Sequence, residues 1–267
     1  MADKLNRRDF VKAAGATAGL AVGLGAAREG ASAEPKPTGP AVKGSRAKPV
    51  VVSSANGHKY TNGGAKTCVE TAFELMTSGS DVLEALIAGV NIVELDPLDD
   101  SVGYGGLPNA DGVVQLDACC MHGPLKRAGG VACLEGVRTP SRVAHAVMQH
   151  TDHHLIVGRD AQAFARQMGF AIEAVLNTVN SRSKWLEWRR RVDPEHYLDP
   201  AKRTQASLEA ALSMVRDGLV DAEHLYGTIN CNGVNAKGEV CGVTTTSGLA
   251  WKIPGRVGDS PILGAGL

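Results

Sequence analysis

A β-hairpin near the C-terminal end constrains the fold more than any other feature. Residues 228–234 and 239–246 are short runs rich in Thr, Val and Ile. Asn235-Ala236-Lys237-Gly238 lies between them, and these residue types favour a tight reversal. Upstream, short strands and helices alternate instead. Strands are expected at 49–54, 113–118, 129–134 and 155–158, and helices at 67–77, 81–95, 141–149, 160–168 and 205–219. Leu83, Ile87, Val90 and Val93 recur at helical spacing, with Ser80 or Asp81 as N-cap. Ser141 and Asp160 are the expected caps of the next two helices, and Gly169 ends the second of these. The order indicates an α+β chain, layered αββα.

The 267 residues carry 28 basic and 28 acidic side chains. Zero net charge argues against a nucleic-acid partner or a membrane-surface protein. Aromatics are only 4% of the chain while glycines number 32, which points to tight turns and close backbone approaches. Residues 175–219 are charged, with Trp185, Trp188 and Arg189-Arg190-Arg191 beside Glu187, Asp193 and Glu195, and read as a solvated connector or helix. The cysteines at 68, 119, 120, 133, 231 and 241 show no CxxC or Cys/His ligand spacing. No metal is expected, and they read as mostly buried free thiols. Cys119 and Cys120 on a strand would point to opposite faces and could not readily bridge each other. His122, His153 and His154 read as polar surface or core residues.

Residues 1–33 read as an export signal. Arg7-Arg8 in Asn6-Arg7-Arg8-Asp9-Phe10-Val11-Lys12 has twin-arginine character, an Ala/Gly-rich apolar stretch follows, and Ala31-Ser32-Ala33 fits a signal-peptidase site. The expected location is therefore the periplasm or outside the cell, with a Pro/Lys-rich leader at 34–48 and no membrane span after signal removal.

A threonine nucleophile needs an activating base, and an N-terminal Thr supplies its own α-amine. Cutting before an internal Thr would create one, and Gly227-Thr228 at a strand start is a suitable place. Alone, that pair is common and reads first as a β-branched residue opening a strand. The wider segment is distinctive: Gly227-Thr228, then Gly242-Val243-Thr244-Thr245-Thr246-Ser247-Gly248, then Gly255-Arg256-Val257-Gly258-Asp259-Ser260-Pro261. It closely resembles the start of the β-subunit of N-terminal-nucleophile (Ntn) amidohydrolases of the glycosylasparaginase, isoaspartyl peptidase and plant-type asparaginase family. Upstream, 99–108, Leu116-Asp117-Ala118 and Leu155-Ile156-Val157-Gly158 match as well.

The resemblance implies a four-layer αββα sandwich. It divides the chain into an α-subunit part at 49–227 and the start of a β-subunit at 228–267. It implies that Thr228 is exposed by autocleavage after Gly227 and then attacks a small-molecule β-aspartyl amide. Thr246 would hydrogen-bond near the nucleophile, Arg256 would grip the substrate α-carboxylate, and Asp259 would hold its α-ammonium. No cofactor is implied, and self-cleavage would give an αβ heterodimer, possibly paired. The expected substrate is the N4-(β-N-acetylglucosaminyl)-L-asparagine linkage. The alternatives are isoaspartyl dipeptidase or L-asparaginase activity and, in another class, an inactive remnant or interaction module. Three departures from the family pattern stand out. The family continues past the Gly264-Ala265-Gly266 motif with strands, helices and oxyanion-hole donors, so an incomplete C-terminal part is expected. Ala55 stands where glycosylasparaginases tend to have a pocket Trp. Gly227 stands where they usually have Asp.

Overall fold

The computed structural model describes residues 47–192 and 199–267. The signal at 1–33, the leader up to residue 46, Asp193 and Glu195 lie outside the described residues. Six strands form one mixed sheet: β1 (Val50–Ser53), β2 (Leu116–His122), β3 (Arg127–Leu134), β4 (Leu155–Val157), β5 (Thr228–Val234) and β6 (Val240–Thr246), in the order β1-β5-β6-β2-β3-β4. Only β3–β4 is parallel. The expected hairpin is β5–β6, registered from Thr228 opposite Thr246 to Val234 opposite Val240. Asn235 shapes its turn, its Oδ1 accepting from the Lys237 and Glu239 amides at 3.0 and 3.1 Å. β2 covers the other side of β6 and β1 the other side of β5, so the hairpin sits within the sheet.

Four helices pack on one face: α1 (Cys68–Thr77), α2 (Val82–Leu95), α3 (Pro140–His150) and α4 (Gly158–Gln167). Thr67 and Glu70 form a capping box on α1, and Asp81 caps α2 through the Glu84 amide. Leu83, Leu86, Ile87 and Val90 of α2 meet Val143 and Val147 of α3 and the sheet residues Cys120, Val131, Ile229 and Val243 in one core. Each such aliphatic side chain withdrawn from water contributes about 1.5–3 kcal/mol.

The opposite face is small and polar at its centre, carrying Thr228, Asn230, Thr244, Thr246, Asp117 and Cys119. Residues 247–267 cross it. The Gly266 carbonyl accepts from Asn230 Nδ2 at 3.1 Å and Thr244 Oγ1 at 2.8 Å, and the Ser260 carbonyl from the Cys119 thiol at 3.0 Å. Toward the edges of this face Val50, Val52, Met121, Leu155 and Val157 are exposed. A second apolar cluster gathers α5 (Val179–Arg191), α6 (Pro200–Arg216) and α7 (Ala222–Leu225) around Trp188, which stacks on Trp251 at 5.5 Å.

The α+β class stands, and several local boundaries move. Asn109 Oδ1 ties the Asp111 and Val113 amides into a turn, each at 3.0 Å, so β2 begins at Leu116 rather than at 113. α3 starts at Pro140 after Thr139, because proline suits the first helical position; Ser141 turns inward instead of capping. α4 begins at Gly158, which puts Asp160 in its first turn rather than at the cap. Most of the charged stretch 175–219 is helix, in α5 and α6. All six cysteines are free and buried. Among the described residues no helix is long and apolar enough to cross a membrane.

Candidate active site

Thr228 opens β5 directly opposite Thr246, which closes β6, so their side chains share one face. Thr228 Oγ1 donates to Thr246 Oγ1 at 3.1 Å, and Thr246 Oγ1 donates to the carbonyl of Gly227. The Gly248 amide donates to Thr246 Oγ1 at 2.7 Å, and Ser260 Oγ lies 3.5 Å from Thr228 Oγ1. One chain of contacts therefore links the Thr228 hydroxyl to the carbonyl of the peptide bond that precedes it. A hydroxyl donating to a carbonyl oxygen polarises it toward attack.

Gly227 connects α7 to β5 and has a specific reason to be glycine. A methyl group there would collide with Ser101 Cβ and come within 2.7 Å of Ser101 Cα. Ser101 itself is fixed. Its amide and hydroxyl donate to Asp99 Oδ1 at 2.7 and 2.5 Å. Its carbonyl accepts from the Ser247 amide at 3.2 Å and the Ser247 hydroxyl at 2.9 Å. A cavity of about 220 Å³ opens beside this wall, lined by Ser54, Ala55, Asn56, Ser101, Gly227 and Thr228 among others.

Just upstream, α7 is anchored to an acidic corner. His224 Nδ1 and Asp100 Oδ1 are 2.6 Å apart, and Asp100 Oδ2 receives Asn180 Nδ2 at 3.1 Å and the Lys184 ammonium. The bond to Asp100 holds the His224 imidazolium above its ordinary range. Burial works to raise Asp100, but hydrogen bonds from His224 and Lys184 leave it below the usual carboxylate range. Asp99, Asp100 and His224 offer ligand atoms within 4.8 Å of one another, the geometry a metal ion would need. Both Asp100 oxygens are already engaged by His224, Asn180 and Lys184, so ion pairing accounts for the cluster.

Arg256 and Asp259 lie exposed on the loop that follows β6. They make no ion pair with each other among the described residues, which leaves two opposite charges three residues apart. Gly248 stands between this loop and Thr246: a methyl on it would lie 3.5 Å from Arg256 Nη1. Beneath the loop, Lys252 Nζ is fully buried, donates to the Gln115 carbonyl at 3.0 Å and lies 3.8 Å from Asp117 Oδ2. Burial pushes the Asp117 pKa up and the Lys252 pKa down, each countered in part by the other's charge. Removing one partner strands the other. Lys252→Met is expected to cost about 3–5 kcal/mol in urea unfolding, whereas the apolar double replacement Lys252→Met with Asp117→Leu restores most of it. A double variant as unstable as the single one would show that the pair is not the cause.

Of the residues singled out in sequence, Thr228, Thr246 and Gly227 are brought into direct contact, and Arg256 approaches through Gly248. Lys252 was not singled out. Ser101, Ser247, Gly248 and Ser260 lay within quoted motifs but were given no part. Asp99 is a local partner of Ser101, but Ser247 and Gly227, which it meets in the site, are distant in sequence.

A sequence profile described as "Asparaginase" matches residues 41–267. The chain is 39% identical over 264 residues to an N(4)-(Beta-N-acetylglucosaminyl)-L-asparaginase of Elizabethkingia miricola, covering 98% of this chain and 66% of that protein. A mouse protein of the same name is 36% identical over 238 residues, covering 85% of this chain and 65% of its own length. A "Probable isoaspartyl peptidase/L-asparaginase 3" of Arabidopsis thaliana is 31% identical over 216 residues, covering 74% of this chain and 60% of its own length. The chain thus spans slightly less than two thirds of the length of these curated relatives. With a family profile matched along almost all of its described length, this chain belongs to the asparaginase family.

Proposed function

We propose that the protein is an exported amidohydrolase. It cuts its own chain between Gly227 and Thr228, and then hydrolyses a β-aspartyl amide with Thr228 as N-terminal nucleophile. The observation that carries this reading is the linked array of Thr228 Oγ1, Thr246 Oγ1 and the Gly227 carbonyl. In the first step the Thr228 hydroxyl adds to the Gly227 carbonyl. The C–N bond breaks, the amine takes a proton, and an ester joins Gly227 to Thr228 Oγ1. Water then cleaves the ester, leaving a Gly227 carboxylate and a free Thr228 α-amine. In turnover that amine removes the proton from Oγ1 as it attacks the substrate's side-chain amide. The amine half departs protonated, and water releases aspartate.

Arg256 suits the α-carboxylate because its planar fork meets two oxygens at once, and Asp259 suits the α-ammonium. Replacing Arg256 with lysine, which lacks the fork, is expected to raise KM at least tenfold with a smaller change in kcat. An unchanged KM would remove Arg256 from substrate binding. The relatives named as glycosyl-asparaginases favour the N4-(β-N-acetylglucosaminyl)-L-asparagine linkage as substrate. A second reading, isoaspartyl dipeptidase or asparaginase, is favoured by Ala55, whose small side chain lines the cavity beside Thr228. Cleavage would give an αβ heterodimer. In the four-layer arrangement a second sheet would pack on the face that carries Thr228, which fits the exposed Val50, Val52, Met121, Leu155 and Val157 there. The twin-arginine signal and the periplasmic or extracellular location belong to the same proposal.

The test is the intact mass of residues 34–267 under denaturing conditions after overnight incubation. Two species split at Gly227–Thr228, together heavier than the parent by one water, support the reading; a single uncut mass overturns it for this chain. Parallel rates on a glycosyl-asparagine and a β-aspartyl dipeptide then separate the two substrates, and equal or reversed rates sink the glycosyl preference.

A further inference from the structure

Glu94, at the end of α2, is fully buried and is met by hydroxyls and amides rather than by a cation. Its Oε1 accepts from Thr245 Oγ1 at 2.7 Å and the Ser141 amide at 3.1 Å. Its Oε2 accepts from Ser141 Oγ at 2.8 Å and Asn91 Nδ2 at 2.5 Å. Four donors fill the four lone-pair positions of a carboxylate. Its backbone does separate work. The Glu94 carbonyl accepts the Tyr104 amide at 2.7 Å, and Gly103 packs so closely that a methyl there would lie 2.5 Å from Glu94 Cα.

We infer that Glu94 is a positioning residue for the Thr228 site, holding Thr245 on one side and the turn at 99–106 on the other. Thr245 immediately precedes Thr246, and the turn carries Ser101, against which Gly227 is packed. One side chain and its own carbonyl thus fix the spacing between the two walls that enclose the Gly227–Thr228 bond. The inference rests on the proposed self-cleavage only for its effect on rate; the spacing itself is a property of the folded chain.

The donor set also says what protonation does. A proton on Glu94 must displace one of four donors. The Ser141 amide and the Asn91 side-chain N–H cannot accept a hydrogen bond in return; the Thr245 and Ser141 hydroxyls can turn round and do so. Protonation therefore turns round the hydroxyl of Thr245 or of Ser141, and either change alters the set of bonds that holds Thr245. Burial raises the Glu94 pKa to about 7, against the hydrogen bonds, which lower it. The charged and titratable groups turned toward it are the Cys68 thiol on α1 and, through Asn91, Arg142 on α3; β6 and the turn offer a hydroxyl and an amide. An acid whose folded pKa lies above its ordinary 4.5 binds protons more tightly folded than unfolded. Stability should then fall as pH rises from that ordinary value to about 7, and level off above it. Ionised Glu94 thus costs stability, as burial alone requires; a positioning role adds a linked response of the amides at 247 and 248 and of the cleavage rate.

The experiment uses the full chain as wild type, Glu94→Gln, Thr245→Val and Thr245→Ser. It follows the amide resonances of Tyr104, Ser247 and Gly248 from pH 5 to 9, alongside the self-cleavage rate. In wild type the three amides should titrate together. Glu94→Gln should flatten all three; any titration of His224 persists in that variant and is identified by the comparison. Thr245→Val should flatten Ser247 and Gly248 only, and Thr245→Ser should restore them. Cleavage should slow at least tenfold in Glu94→Gln and Thr245→Val and recover in Thr245→Ser. If Glu94→Gln does not fold, Thr245→Val and Thr245→Ser decide. Wild-type amides at 247 and 248 that ignore pH, or a Thr245→Val variant identical to wild type, would overturn the inference. A wild-type chain that never cuts itself while its amides behave as described refutes the proposed function and leaves Glu94 in its positioning role.

Discussion

A Thr228→Ala chain will remain one polypeptide, showing a single mass under denaturing conditions however long it is incubated. The alanine side chain, which lacks the hydroxyl, has no lone pair to offer the Gly227 carbonyl, and the remaining array, Thr246 Oγ1 and the Gly248 amide, can polarise that carbonyl but cannot attack it. Removing the nucleophile of a hydrolase commonly lowers turnover by about 10⁴-fold or more, and here the loss should strike both steps because one oxygen serves both. Thr228→Ser keeps the oxygen and should still cut. Thr246→Val separates attack from polarisation. It should slow cutting by about 10²–10³-fold, the usual loss for one donor aimed at a developing oxyanion. Cutting at Gly227–Thr228 in the alanine variant would remove Thr228 from the chemistry altogether.

Gly227→Ala is expected to slow self-cleavage by about 10²-fold while leaving the fold intact, because displacement of a reacting group by about 1 Å has effects of that size. The added methyl has nowhere to go: Ser101 Cβ is in its place, and Ser101 is tied to Asp99 and Ser247. The chain at 227 must back away, and the carbonyl leaves the Thr246 hydroxyl. The compensating change is Ser101→Gly, which removes the tightest contact, that with Cβ, and leaves only the backbone of residue 101 to shift. The double variant should recover at least tenfold over Gly227→Ala. If it recovers nothing, the contact with Ser101 is not what makes glycine necessary at 227.

The parts of this molecule that were legible in the sequence are those whose causes are local. The hairpin followed from turn chemistry at 235–238, while the closeness of Thr246 to Thr228 was expected from the family resemblance. The Asp81 cap and the buried stripe of α2 followed from helical spacing. What stayed hidden depends on residues meeting from far apart. Glu94 reaches Thr245 across 151 positions and Ser247 reaches Ser101 across 146. Neither polar pair leaves a periodic trace. The charged stretch at 175–219 was left between connector and helix for a different reason. Much of α5 is exposed, and Trp188 is its main deep anchor, so its composition resembles a connector more than a packed helix. The caps of α3 and α4 moved because Pro140 and Gly158 set where those helices begin.

The position of β5 also fixes an order of events. β5 is the first strand after the proposed cut, yet it lies between β1, from near the start of the described chain, and β6. The array around Gly227–Thr228 is built on the β5–β6 hairpin, but Gly227 is held against Ser101 from far upstream of the bond, so the proposal places assembly before scission. After such a cut the two pieces would be interleaved, each supplying neighbours to the other, and neither could leave without opening the sheet. Scission would then change the covalent structure and remove the route by which the protein folded. A matured molecule that is later unfolded would have to reassemble from two separate chains, at a rate that depends on their concentration, whereas the uncut precursor would refold at a rate independent of it.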